Sequence, residues 1–293
     1  MTSSASGAGA LPSLAALRAA GRPIVMLTAY DFPSGRAAEE AGVDVVLVGD
    51  SAAMTVLGYD TTRAISLEEL LMLTRAVRRA VMRVPLIGDL PFGSYEPSDA
   101  LAVETARRFV SDAGCDAVKL EGAGSIVPRV RAIIATGIPV VGHVGLLPQS
   151  VTSPDGYRAR GRDVEQALEI IADADALAEA GCAALVVEAV PARITAIITR
   201  RLGIPVIGIG AGSSTDGQVL VYHDLLGLGE GRLPRFVRQY AAARDTILDA
   251  VRRWAADVRS REFPSSDETY GIPEQAIDEV EHRLRAADAR RRA

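Results

Sequence analysis

Cysteine is scarce: Cys115 and Cys182 are the only two in 293 residues. Two thiols make no disulfide framework, which fits a reducing compartment, and each precedes an apolar run in the manner of a small buried hydrophobe. Long apolar runs are missing as well. No segment offers the roughly 18 uninterrupted apolar residues that a membrane span needs. The N-terminus, MTSSASGAGALPSLAALRAAGRP, lacks a basic start followed by a long apolar stretch. It reads as a flexible lead-in and a short helix, not a signal peptide, and the expected location is the cytoplasm. Aromatic residues are only 4% of the chain, so aliphatic side chains must fill the core; a hydrophobic share of 48% is enough for a large one. A net charge of −5 lacks the basic excess of a nucleic-acid binder. The sharpest deficit is lysine: of 32 basic residues, all are arginine except Lys119. An ammonium and a guanidinium are not interchangeable in a tight site, so this surviving lysine is a candidate site residue.

What is present repeats. Apolar runs rich in Val, Ile and Leu lie at Val25–Asp31, Val43–Asp50, Pro85–Phe92, Ala117–Glu121, Pro139–Leu146, Ala183–Val190, Pro205–Gly210 and Gly217–His223. Nearly continuous hydrophobicity marks strands buried on both faces, as in parallel sheets. Helical patterns separate them at Ser66–Val81, Pro97–Ala113, Ser125–Thr136, Asp163–Ala180 and Ala192–Leu202. The first opens on a capping-box pair, Ser66 and Glu69. Two strand types recur: AGVDVVLVGD, AGCDAVKLE and AGCAALVVE end in a carboxylate, whereas PLIGD, PVVGH and PVIGI open on proline. A repeated βα unit with about eight strands predicts a TIM (β/α)8 barrel. A doubly wound open sheet is disfavoured, because no GxGxxG turn follows the first strand. The expected division is a lead-in and short helix at 1–22, a barrel at 23–262 and a C-terminal extension at 263–293. Pro234–Arg261 reads as one long helix, Phe263–Pro273 as a turn-rich break and Glu274–Ala293 as a charged helix.

Barrel enzymes place their chemistry at the C-terminal ends of the strands. Here those ends carry Asp50, Asp89, Glu121, His143 and Glu188, from five strands. Converging carboxylates repel unless a positive charge sits among them, and a divalent cation is the simplest remedy. Oxygen donors without thiolates favour Mg²⁺ over zinc. Lys119 and Glu121 are two apart on one strand and share a face. A buried lysine needs an anion, supplied by the acidic set or by a substrate carboxylate. His143 taken alone reads as structural; beside the carboxylates it becomes a plausible donor to a substrate carboxylate. The run Gly208–Gly212 could cradle a phosphate or simply permit a tight turn.

At these residues the chain resembles the 3-methyl-2-oxobutanoate (ketopantoate) hydroxymethyltransferase family, from about Val25 to Phe263. The motifs, in order, are MLTAYD (Met26–Asp31), LVGDS (Leu47–Ser51), GYDTT (Gly58–Thr62), DLPFGSY (Asp89–Tyr95), VKLEG (Val118–Gly122), GHVGLLPQSV (Gly142–Val151), Gly161-Arg162, GIGAG (Gly208–Gly212) and TDGQVLVYHD (Thr215–Asp224). The resemblance implies a TIM barrel with Mg²⁺ held by Asp50, Asp89 and Glu121, directly or through water. It implies that Ser51, Lys119 and His143, with Asp89, hold the oxo acid and that Glu188 is the catalytic base. The implied reaction carries a one-carbon unit from 5,10-methylenetetrahydrofolate to 3-methyl-2-oxobutanoate, giving 2-dehydropantoate on the route to pantothenate and coenzyme A. A homo-oligomer, commonly a decamer, is implied too. The pattern departs from the family at Ala52-Ala53, Gly122-Ala123, Asp155-Gly156-Tyr157 and Asp267–Tyr270, which leaves the folate-side loop and the quaternary packing open. Two rival readings are a lyase or mutase of the phosphoenolpyruvate mutase/isocitrate lyase type and a non-catalytic metabolite-binding barrel. The first lacks its cysteine-bearing KCGH-type loop here; the second leaves the intact acidic set without a purpose.

Overall fold

A computed structural model describes residues 12–151, 157–229 and 233–292. The expected lead-in at the extreme N-terminus lies outside the described residues, as do Asp155 and Gly156. Eight parallel strands close into a barrel in sequential order: β1 (Ile24–Thr28), β2 (Val45–Val48), β3 (Leu86–Asp89), β4 (Ala117–Lys119), β5 (Val140–Gly145), β6 (Ala184–Glu188), β7 (Val206–Ile209) and β8 (Gly217–Leu220). The last strand pairs with the first, with Ile24 opposite Gly217. All eight expected strands are present and shorter than expected, with β1 starting one residue early at Ile24. The chain forms two compact units that meet in sequence at Ala241 and Ala242.

The strand period of two sorts the core into two layers. Met26, Val45, Leu47, Ile87, Ala117, Val141, Ala184, Val186, Ile207 and Val219 fill the barrel interior. Their neighbours Leu27, Val46, Val48, Leu86, Val118, Val140, Leu185, Val187 and Val206 face the helices. The same parity aims Asp89 (two past Ile87), Lys119 (two past Ala117), His143 (two past Val141) and Glu188 (two past Val186) inward at the C-terminal end. The helix α1 (Pro12–Ala19) serves the interior layer through the fully buried Leu14, while its Arg18 pairs with Asp216 at 3.1 Å and donates to the Leu202 carbonyl at 2.6 Å.

Helices cover the outside. After α2 (Phe32–Glu40) and the single turn α3 (Ala52–Thr55) come α4 (Leu67–Arg78), α5 (Asp99–Ser111), α6 (Val127–Ile134), α7 (Val164–Glu179), α8 (Ala192–Arg201) and α9 (Tyr222–Leu226). The Ser66 and Glu69 capping box opens α4 as expected. No helix separates β7 from β8. The sequence patterns left α2 unassigned, yet its start is marked: Asp31 caps the Ser34 N–H at 2.8 Å, and Pro33 sits in the first turn, where a missing N–H costs nothing. Its buried Glu39 accepts the N–H groups of Met82 and Arg83 at 2.7 and 2.6 Å, tying α2 to the turn before β3.

The expectation of one helix over Pro234–Arg261 is corrected. Residues 233–242 are irregular, and α10 begins only at Ala243. Tertiary contacts overrule the helical pattern. Phe236 packs on the interior layer and closes over Gly210, and the Tyr240 N–H reaches the Leu225 carbonyl at 2.8 Å. In the second unit, α10 (Ala243–Ser260) and α11 (Glu274–Arg292) carry no buried residue, and a short 3-10 turn at Ser266–Glu268 lies between them.

One close approach sets the β3 wall. A Cβ on Gly88 would overlap the Phe109 ring of α5 and come within 2.9 Å of the Cys115 sulfur. Gly88→Ala is expected to destabilise the fold by about 1–3 kcal/mol through overpacking, read as a lowered Tm; an unchanged Tm would show that α5 can move away freely.

Candidate active site

The inward parity and the register bring one set of side chains together at the C-terminal rim. Asp89 and Lys119 are cross-strand partners on β3 and β4, so the Lys119 ammonium reaches both Asp89 oxygens, each at 2.8 Å. Asp50, two residues past β2, donates its N–H to Asp89 Oδ2 at 3.2 Å. Glu121 lies two residues past β4. His143 stands between two carboxylates, its Nδ1 3.5 Å from Glu121 Oε1 and its Nε2 3.3 Å from Glu188 Oε2. Ser51 shares a 2.8 Å hydrogen bond with Tyr30. Asp50, Asp89, Lys119, Glu121 and His143 are all at least nineteen-twentieths buried, whereas the Glu188 side chain keeps 14% of its surface open.

The electrostatics of this set are lopsided. Burial, then the neighbouring Asp89 and Glu121 carboxylates, push the Asp50 pKa well above the carboxylate range. Burial also raises Asp89, and Glu121 adds to it, while Lys119 opposes both. Glu121 moves the other way: burial works against its charge, but His143, Lys119 and the Gln149 N–H together hold its pKa down. The His143 imidazole is raised to about 9; burial and Lys119 pull it down, and Glu121 and Glu188 outweigh them. Four carboxyl groups thus face two cationic side chains. Three buried atoms, Glu121 Oε1 and both His143 nitrogens, have no partner in hydrogen-bonding geometry despite the short distances. Such orphans are costly: the Glu121 oxygen calls for a donor or a cation, and the His143 nitrogens, as N–H groups of an imidazolium, call for an acceptor.

Among the described residues no group of three or more His, Cys, Asp or Glu side chains is placed so that it could by itself hold a metal ion. The donor set still fits a hard divalent cation. It is made of carboxylates, it is short of positive charge and it offers an unpartnered buried oxygen.

The glycine-rich run resolves toward packing. Gly210 and Gly212 have φ of +63° and +84°, and a side chain on either would collide with Phe236 or Ala192. Their conformations and crowding account for these glycines without a phosphate.

One family matches along most of the chain. The sequence profile of ketopantoate hydroxymethyltransferase matches residues 9–266. The chain belongs to the ketopantoate hydroxymethyltransferase family. Two relatives carry the name 3-methyl-2-oxobutanoate hydroxymethyltransferase. The one from Geobacillus kaustophilus (strain HTA426) is 48% identical over 259 residues, spanning 88% of this chain and 93% of its own. The one from Carboxydothermus hydrogenoformans is 45% identical over 268 residues, spanning 92% and 97%. Solved structures share the fold at much lower identity. A phosphonopyruvate hydrolase is 16% identical with a TM-score of 0.58, covering 96% of this chain and 98% of its own. An oxaloacetate acetylhydrolase is 16% identical with a TM-score of 0.59, covering 97% and 96%. Sequence thus sets this ketopantoate hydroxymethyltransferase family member apart from these two structures, with which it shares the fold.

Several rim residues of this family member escaped the sequence reading. Gln149 and Tyr95 are 2% exposed, and Tyr30 only 1%. Tyr157, more exposed, points its hydroxyl to the Met54 sulfur at 3.8 Å and feels the Asp50, Glu121 and Glu188 charges. Being neutral, none offers the signal that a strand-end carboxylate does.

Removing the Lys119 charge leaves Asp89 buried without its cation. Lys119→Met is expected to cost about 3–5 kcal/mol in denaturant unfolding, and Lys119→Met combined with Asp89→Leu to recover most of that. A single variant as stable as the parent would show that the pair is not electrostatically coupled.

Proposed function

We propose that the chain transfers a hydroxymethyl group from 5,10-methylenetetrahydrofolate to 3-methyl-2-oxobutanoate, giving 2-dehydropantoate on the way to pantothenate. The observation that carries this reading is the family match along most of the chain, joined to a rim on which Glu188 touches His143 and stays partly open. Asp50, Asp89 and Glu121 would hold Mg²⁺, directly or through water. Bound there, the ion supplies Lewis-acid stabilisation of the negative charge that builds on the substrate's keto oxygen.

The chain's own groups do the rest. Lys119 adds positive potential beside Asp89. Ser51, its hydroxyl oriented by Tyr30, and His143 donate to the oxo-acid carboxylate. The partly open carboxylate of Glu188 takes the proton from C3. The electron pair freed from that C–H bond then forms the new bond to the methylene carbon. The two methylene–nitrogen bonds break, water supplies the hydroxyl group, and the two folate nitrogens take up the C3 proton held by Glu188 and the remaining proton of water, so that tetrahydrofolate leaves. His143 lies 3.3 Å from Glu188 and keeps a positive charge beside the base. Two buried free thiols and the lack, among the described residues, of a helix long and apolar enough to cross a membrane fit a cytoplasmic setting. Assembly into a homo-oligomer goes with the family.

Glu188→Gln keeps the shape of the base and removes its basicity. It is expected to retain Mg²⁺ and oxo-acid binding while C3–H exchange in deuterated buffer falls by about 10²–10⁴-fold. Exchange at the parental rate would remove Glu188 from the role of base.

A further inference from the structure

Gln149 belongs to no charged cluster, yet it touches more of the rim than any single carboxylate. It sits in a short 3-10 turn, Pro148–Ser150, after β5, and is 2% exposed. Its backbone N–H donates to Glu121 Oε2 at 3.0 Å. Its carboxamide nitrogen donates to Asp50 Oδ2 at 3.0 Å and to the Leu90 carbonyl at 2.9 Å. Its carboxamide oxygen accepts from the Tyr95 hydroxyl at 2.8 Å. Its backbone carbonyl accepts from Arg63 at 3.2 Å. Every polar group of the residue is engaged.

The orientation of the amide follows from its partners. The Leu90 carbonyl can only accept, so the atom facing it must be the nitrogen. The second N–H then goes to Asp50, and the oxygen is left for Tyr95. Tyr95 is constrained in turn, because its hydroxyl oxygen accepts the Glu121 N–H at 3.3 Å. One neutral residue therefore takes up a chosen oxygen on each of two carboxylates from different strands. On Glu121 it occupies Oε2 and leaves Oε1 buried without a hydrogen-bond partner.

We propose that Gln149 is a positioning residue: it fixes which oxygens of Asp50 and Glu121 are presented to the substrate and its divalent cation. The inference rests on the function proposed above and adds a residue to it. A neutral donor is the appropriate choice. A carboxylate at this position would add to an already excessive negative charge, and a cation would compete for the role of the metal. Partners that orient metal-binding groups typically change affinity by about 10–100-fold when removed.

The test is Mg²⁺ titration calorimetry on the parent protein, Gln149→Met and Tyr95→Phe, with steady-state kinetics and C3–H exchange alongside. Gln149→Met keeps the backbone N–H to Glu121 and loses all three amide contacts. It is expected to bind Mg²⁺ about tenfold or more weakly and to recover activity partly at high Mg²⁺. Tyr95→Phe, which retains the amide donors but frees their anchor, is expected to show a smaller loss in the same direction. Rising Mg²⁺ demand with unchanged Tm is an effect that a merely structural role would not give. Folded variants with parental Mg²⁺ affinity overturn the inference. Should the parent bind Mg²⁺ yet exchange no C3 proton, the functional reading fails, and the calorimetric ratio still decides the role of Gln149.

Discussion

The ion pair between Lys119 and Asp89 is the constraint on which the rim depends. It joins β3 to β4 at paired positions, with both carboxylate oxygens 2.8 Å from the ammonium and almost no solvent access. Such a pair is a poor way to stabilise a barrel, because withdrawing each ion from water costs several kcal/mol before attraction offsets it. Its value lies in what it permits. With one carboxylate of the cluster neutralised, Asp50 and Glu121 can be buried within its field, and the remaining negative excess becomes an attraction for a cation and a chelating substrate.

The barrel makes this arrangement possible by geometry. Alternation sends every second side chain inward, so the strands that pack Ile87, Ala117, Val141 and Val186 into the interior must also aim Asp89, Lys119, His143 and Glu188 there. Chemistry and core are successive layers of one stack. The β5–β6 register then sets Gly145 opposite Glu188, and a side chain at Gly145 would strike the Glu188 backbone. The next residue, Ala189, adopts a left-handed conformation with φ of +49°, a departure that a non-glycine residue rarely makes. The chain is thus bent immediately after the proposed base.

Much of this was legible in the amino-acid order because burial and charge conflict there. A carboxylate closing an apolar strand has no structural excuse, so Asp50, Asp89, Glu121 and Glu188 announce themselves, and the lone Lys119 completes the set. Gln149, Tyr95 and Tyr30 send no such signal, since neutral polar residues in loops are common and their value depends on partners distant in sequence. Local pattern failed for the same reason at residues 233–242, where Phe236 docking on the barrel outweighs helical propensity. In the opposite case, α2, the Asp31 cap and Pro33 were readable and its two-turn length hid them. The glycines at 210 and 212 show the limit of motif reading, because crowding by Phe236 and Ala192 demands them whether or not a ligand is near.

A rim on which carboxyl groups outnumber cationic side chains four to two should activate a 2-oxo acid only when a divalent ion completes the charge. The decisive measurement is hydrogen–deuterium exchange at C3 of 3-methyl-2-oxobutanoate by the parent protein, with and without Mg²⁺, and with no folate present. The account predicts rapid exchange with Mg²⁺ and near-background exchange after chelation. Equal exchange in both conditions, or none in either, would contradict it.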